Sequence, residues 1–164
     1  MRVVSNTSPV SNLAIVNRLG LLKARYEQIA IPPAVHDELQ LLSHPEGRER
    51  LAQALREDWI VVEPVPFPEQ AALYLEVLDS GEAAALALAL QTGAEVLLMD
   101  ERKGRGLAQQ FGQRVSGILG MLVWGKEHGH VESLTAEMVR LISEARFFIH
   151  PALQAYMRAA VGEE

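Results

Sequence analysis

Short apolar runs closed by polar residues alternate along the chain with segments of helical spacing. The clearest run covers residues 96–99 and leads straight into Asp100 and a basic, glycine-containing stretch that starts at Glu101. An unbroken apolar run without alternation is the pattern of a strand buried on both faces inside a parallel sheet. Residues 2–5, 28–31, 59–63 and 114–116 supply further strand candidates. Between them, Ser8 before Pro9 predicts a helix start, a capping hydroxyl ahead of a proline at the first helical position. Val10, Leu13 and Ala14, then Leu19, Leu21 and Leu22, predict one helix broken near Gly20 or two short ones. Pro33 starts a helix over 34–42, and His44-Pro45-Glu46-Gly47 reads as a break before a helix over 48–56.

Pro64, Pro66 and Pro68 cannot donate to a ladder, so the third strand is expected at a sheet edge, leading into a surface crossover. Helices over 71–78 and 79–91 follow. The second is so rich in alanine and leucine that most of its surface is expected to be buried. A helix around 107–111, one over 118–127 and two in the tail complete the pattern. Strands alternating with helices predict an α/β fold, a mainly parallel sheet of about five strands with helices on both faces. At 164 residues the chain reads as one domain, 1–164, with the helices of 131–161 packed on it.

Composition narrows the function classes. There is no cysteine, which excludes disulfides, thiolate metal sites and a cysteine nucleophile. No apolar run has the length of a membrane span and no signal peptide is recognisable, so a soluble, cytoplasmic protein is expected. The net charge of -6 argues against a broad cationic surface for nucleic acid, though not against a local basic patch.

Candidate chemistry gathers at the carboxyl ends of the strands, where open α/β sheets bind ligands. Asn6 ends the first strand, Glu38 lies in the helix after the second, Glu82 opens the alanine-rich helix and Asp100 ends the fourth strand. Carboxylates brought together repel unless a cation joins them, and hard oxygen donors favour Mg2+ or Mn2+. Such an ion activates water and neutralises a phosphodiester, which points to phosphodiester hydrolysis. Arg102, Lys103 and Arg105 follow Asp100 and are placed to hold substrate phosphates, or else form a solvated helix face. Each acid also has a local reading. Glu82 stands at capping-box spacing from Asp79, Asp100 is placed to cap the next helix, and Asn6 to close an Asx turn.

The segments VVSNTSPVSNLA, IAIPPAVHDEL, DSGEAAALALA and VLLMDERKGRG, followed by RVSGILGML, together resemble the PIN-domain family, in an uncharacterised prokaryotic branch related to VapC-type toxins. The resemblance covers roughly residues 2–127. It implies a three-layer α/β/α sandwich and a metal-dependent endoribonuclease, with RNA as substrate and, in many small members, an antitoxin as partner. By position it makes Glu38, Glu82 and Asp100 catalytic metal ligands, with Asn6 and Glu101 completing the set and Thr7 and Ser8 beside the substrate. Asn6 departs from the family's aspartate and replaces a negative ligand with a neutral carbonyl oxygen.

A catalytically degenerate module that binds RNA or a protein partner is the alternative. A receiver-like phosphoacceptor domain fits less well, because SNTSP offers no paired acids. A homodimer is expected if the apolar faces of the tail are not all spent on the core. The segment from Gly120 to Lys126 matches a phosphate-binding loop in spacing, but Glu127 stands where a hydroxyl should hold magnesium, and Gly104-Arg105-Gly106 lacks the third glycine of a dinucleotide fingerprint. His128 and His130 are expected to cap a helix end or face solvent.

Overall fold

The computed structural model describes residues 1–164 as five short strands and ten helices. The strands β1 (Val3–Ser5), β2 (Ile29–Ile31), β3 (Ile60–Val62), β4 (Val96–Leu98) and β5 (Val115–Ser116) form one sheet in the order β3-β2-β1-β4-β5. Every pairing is parallel, so the chain is an α/β sandwich with helices covering the sheet. β1, β2 and β4 are buried throughout, as their unbroken apolar runs require. The proline-rich exit of β3 puts that strand at an edge. The strand order reverses between β1 and β4. This switch point leaves a crevice beyond their carboxyl ends.

The helices are α1 (Thr7–Ile15), α2 (Gly20–Tyr26), α3 (Pro33–Gln40), α4 (Pro45–Arg56), α5 (Pro68–Tyr74), α6 (Ser80–Thr92), α7 (Arg102–Gln110), α8 (Ile118–Glu127), α9 (Leu134–Glu144) and α10 (Pro151–Ala160). Several begin earlier than their sequence signals suggest. α1 starts at Thr7 with Asn6 in the cap position, so Pro9 is the third helical residue. A proline is tolerated there because the first four helical amides have no partner within the helix in any case. His44-Pro45 opens a helix instead of breaking one, because His44 Nδ1 accepts the Gly47 amide at 2.9 Å and Pro45 takes the first helical position. α5 likewise starts on a proline, Pro68, at its first helical position, without a side-chain cap. The segment 107–111 is only the end of α7, which begins at Arg102 with Glu101 as its cap. The break between α1 and α2 falls at Asn17, where φ is 58°, and Gly20 opens the second helix.

One core of 40 buried residues runs from Val3 to Met157. α6 is its axis, buried continuously from Gly81 to Ala89, and it ends at Gly93, whose φ of 65° favours a residue without a side chain. α9 contributes Leu134, Met138 and Leu141, and α10 contributes Met157. His128 and His130 lie exposed and stack on Trp124, at centroid distances of 4.6 and 5.1 Å. No helix is long and apolar enough to cross a membrane.

Glu163 fastens the tail. Its carboxylate accepts the Leu134 and Thr135 amides at 2.8 and 3.0 Å and the Ser133 hydroxyl at 3.1 Å, and pairs with Lys126 at 3.2 Å. The anion thus serves the amino end of α9, where the helix dipole favours negative charge. The Thr135 amide above all, then the Leu134 amide and Lys126, pull the Glu163 carboxyl down from 4.5 to about 2. A depressed carboxylate stabilises the fold above its unfolded value and loses that contribution as pH falls toward the folded one. Glu163→Ala is expected to cost roughly 1 kcal/mol at neutral pH, the scale of a lost helix cap. The melting curves of the two proteins should draw together as pH drops through the interval from 4.5 to about 2.

Candidate active site

The crevice at the switch point is a polar cleft. Asn6, Thr7 and Ser8 come to it from the start of α1, Glu38 from α3, Asp79 and Glu82 from the start of α6, Asp100 and Glu101 from the turn after β4, and Lys103 from the first turn of α7. The short β1 and β4 strands lie in register, Ser5 opposite Leu98, so their carboxyl ends deliver Asn6 and Asp100 together. Arg102 and Arg105 do not line this cleft. Arg102 is exposed on α7. Arg105 donates to the Met99 carbonyl at 3.0 Å and borders a neighbouring groove instead.

Each acid is anchored separately. Glu38 accepts a hydrogen bond from the Thr7 hydroxyl, and its carboxylate lies against Gly81 at the start of α6. A Cβ at Gly81 would stand 2.6 Å from Glu38 Oε2, so the glycine makes room for the acid. Asp100 accepts the Ile118 amide at 2.8 Å and the Ser8 hydroxyl at 3.3 Å. It therefore caps α8, the third element along the chain, and leaves α7 to Glu101. Ser8 is itself held by Asn12, whose Nδ2 donates to Oγ at 3.0 Å. Gly117 is needed here too, because a Cβ would stand 2.6 Å from Asp100 Oδ1.

Glu82 has two roles at once. Its Oε1 accepts the Asp79 amide at 3.1 Å while Asp79 accepts the Glu82 amide at 2.8 Å, a complete capping box. Its Oε2 is buried and has no partner. Burial chiefly, with the charges of Asp79 and Glu101 adding and the Asp79 amide opposing, pushes the Glu82 carboxyl up to about 7. Burial also raises Asp100, against the Ile118 amide, the Ser8 hydroxyl and Arg105. The Asn6 side chain makes no capping bond, and its Oδ1 is the second buried, unpartnered oxygen in the cleft wall. An unpaired buried polar atom carries a desolvation cost with no return inside the chain.

A family model described as a PIN domain matches residues 2–163, nearly the whole chain. The chain belongs to the PIN-domain family. PIN domains are in general nucleases, hydrolases of phosphodiester bonds that use divalent metal ions. A search of curated proteins finds no match. In this PIN domain the oxygen donors suit a hard cation in kind, and Asn6 Oδ1 and Glu82 Oε2 are the buried ones among them without a hydrogen-bond partner. Yet no three of its histidine, aspartate and glutamate side chains stand close enough together to hold an ion. With asparagine at position 6, the acids that remain are each tied to their own anchor. Sequence reading missed Ser11, Asn12, Val77 and Phe147, which also line the cleft of this PIN domain. Asn12 was recoverable in principle, one helical turn after Ser8 on the same face. Phe147 was not, because it arrives from the tail.

Proposed function

We propose that this PIN domain is a Mg2+- or Mn2+-dependent endoribonuclease acting as the toxin of a toxin-antitoxin pair. The observation that carries the proposal is the pair of buried, unpartnered oxygens on Asn6 and Glu82 in a cleft otherwise walled by Glu38 and Asp100. On this reading an ion would draw Asn6, Glu38, Glu82 and Asp100 closer together than they stand without it, with Glu101 at the rim. When bound, it supplies an activated water at neutral pH and neutralises charge on the phosphodiester. The chain's own groups do the positioning. Thr7 fixes the Glu38 carboxylate, Ser8 and the Ile118 amide fix Asp100, and the capping box fixes Glu82. Lys103 is exposed at the cleft and offers an ammonium to a substrate phosphate.

The wild type is expected to bind Mn2+ in calorimetry and to cleave single-stranded RNA, with cleavage lost in EDTA and recovered on adding the metal. Induced expression in a bacterial host should arrest growth. Cleavage that persists unchanged in EDTA would sink the metal-dependent reading. A second reading, a degenerate module that binds RNA or a protein partner, is favoured by the separately anchored acids and by the neutral Asn6. It predicts RNA retention with no cleavage at any metal concentration.

A further inference from the structure

The acid cleft continues past Asp100 and Phe147 into a second groove, which shares those two residues and has a different character. Two of the 13 residues lining the cleft are hydrophobic, against six of the 11 lining the groove, so a polar trough opens onto an apolar one. The groove runs between the start of α8 and the tail. Phe147, Phe148 and Leu153 line it from the tail, and Val115 and Leu119 from β5 and α8. Gly117 and Gly120 line it without side chains, and Ser116 and Arg105 add polar groups to the lining. Phe148 is 80% exposed and takes part in none of the chain's ring-ring contacts.

A nucleotide has the same two-part character, a charged phosphate joined to a flat base with apolar faces and polar edges. Phosphate attraction is weak in this protein, whose net charge is -6 and whose cleft is walled by acids, with Lys103 its single cation. Affinity for a single strand must then come largely from stacking. We propose that the groove is a subsite for one unpaired nucleobase, stacked on Phe148 with its edge toward Ser116 and Arg105, next to the phosphate in the acid cleft. The inference rests on the nuclease reading and adds to it a requirement for an unstacked base beside the scissile bond.

The test uses fluorescence anisotropy in Mg2+ with a short phosphorothioate RNA, intact or carrying one abasic position scanned along it. Aromatic-base stacking predicts that Phe148→Ala weakens binding about 5- to 150-fold, while Phe148→Tyr keeps it. Because the side chain is exposed, neither change should disturb folding. One abasic position should weaken the wild type by a similar factor and leave Phe148→Ala unaffected. Unchanged affinity in Phe148→Ala overturns the subsite, as does a loss that no abasic position reproduces. Sedimentation of the same samples gives a further overturning result. If Phe148→Ala turns a dimer into a monomer with RNA affinity intact, the groove belongs to a second copy of the chain. A wild type that binds no RNA overturns the nuclease reading itself, and the subsite with it.

Discussion

Asp100→Asn is expected to reduce Mn2+-dependent cleavage by more than about 100-fold, since even the loss of a partner behind a metal ligand costs about 10- to 100-fold. The substitution keeps the shape. An amide oxygen at position 100 can still accept the Ile118 amide that Asp100 now accepts at 2.8 Å, so the start of α8 survives. It also removes a carboxylate that burial disfavours in its charged form. Thermal stability without metal should therefore hold or rise while activity collapses. Asp100→Ala should lose both, because the Ile118 amide is left unpaired in a buried place, at a cost of about 1–3 kcal/mol. The contrast separates chemistry from capping. If Asp100→Asn cleaves as well as the wild type, Asp100 is only the cap of α8.

Asn6→Asp should act in opposite directions with and without metal. Asn6 is 5% exposed, with Oδ1 unpartnered, between acids that already repel a further charge. A buried charge left without a partner is destabilising by about 3–5 kcal/mol, so the metal-free variant should melt well below the wild type. Adding a negative ligand should tighten Mn2+ binding, because ligand charge helps set the affinity of hard cations. An ion that binds only the folded state raises its stability in proportion to the logarithm of concentration over Kd. Melting curves against Mn2+ concentration should thus cross, the variant below the wild type at zero metal and above it at saturation. Cleavage should rise in step. Parallel curves that never cross would remove position 6 from the metal site.

The elements that carry these predictions were legible in the sequence to different depths. Strands buried on both faces announce themselves as unbroken apolar runs, and β1, β2 and β4 lie where such runs predict them, while the part-exposed β3 and β5 also fall in their predicted segments. The strand-end positions of Asn6 and Asp100 follow directly. Helix starts were harder to place, because the chain uses less common devices: a histidine cap at His44 and a proline at the third position of α1. That second device decides the role of Ser8. Read locally it is a cap, but in the fold it is one of the two groups that hold Asp100. Asp100 itself reads locally as the cap of α7, whereas the sheet brings it to α8, because β5 pairs beside β4 and returns the chain to the same edge. Arg105 looks like a phosphate contact until its guanidinium is seen on the Met99 carbonyl. What could not be read was the non-local part: Phe147 from the tail, and the two glycines that clear space for carboxylates far away in sequence.

The capping box at the start of α6 bears on how this site could decay. Position 82 answers to two masters, since one oxygen of Glu82 starts the helix at the centre of the core and the other is buried in the cleft wall without a partner. A descendant that abandoned hydrolysis would be free to lose Glu38, whose exchange disturbs only Thr7 and the space beside Gly81. It would still need Glu82 to begin its central helix. Survival of that glutamate in a related chain is thus evidence of an intact scaffold, and under the proposed metal-dependent reading it is Glu38 whose survival would bear witness to working chemistry.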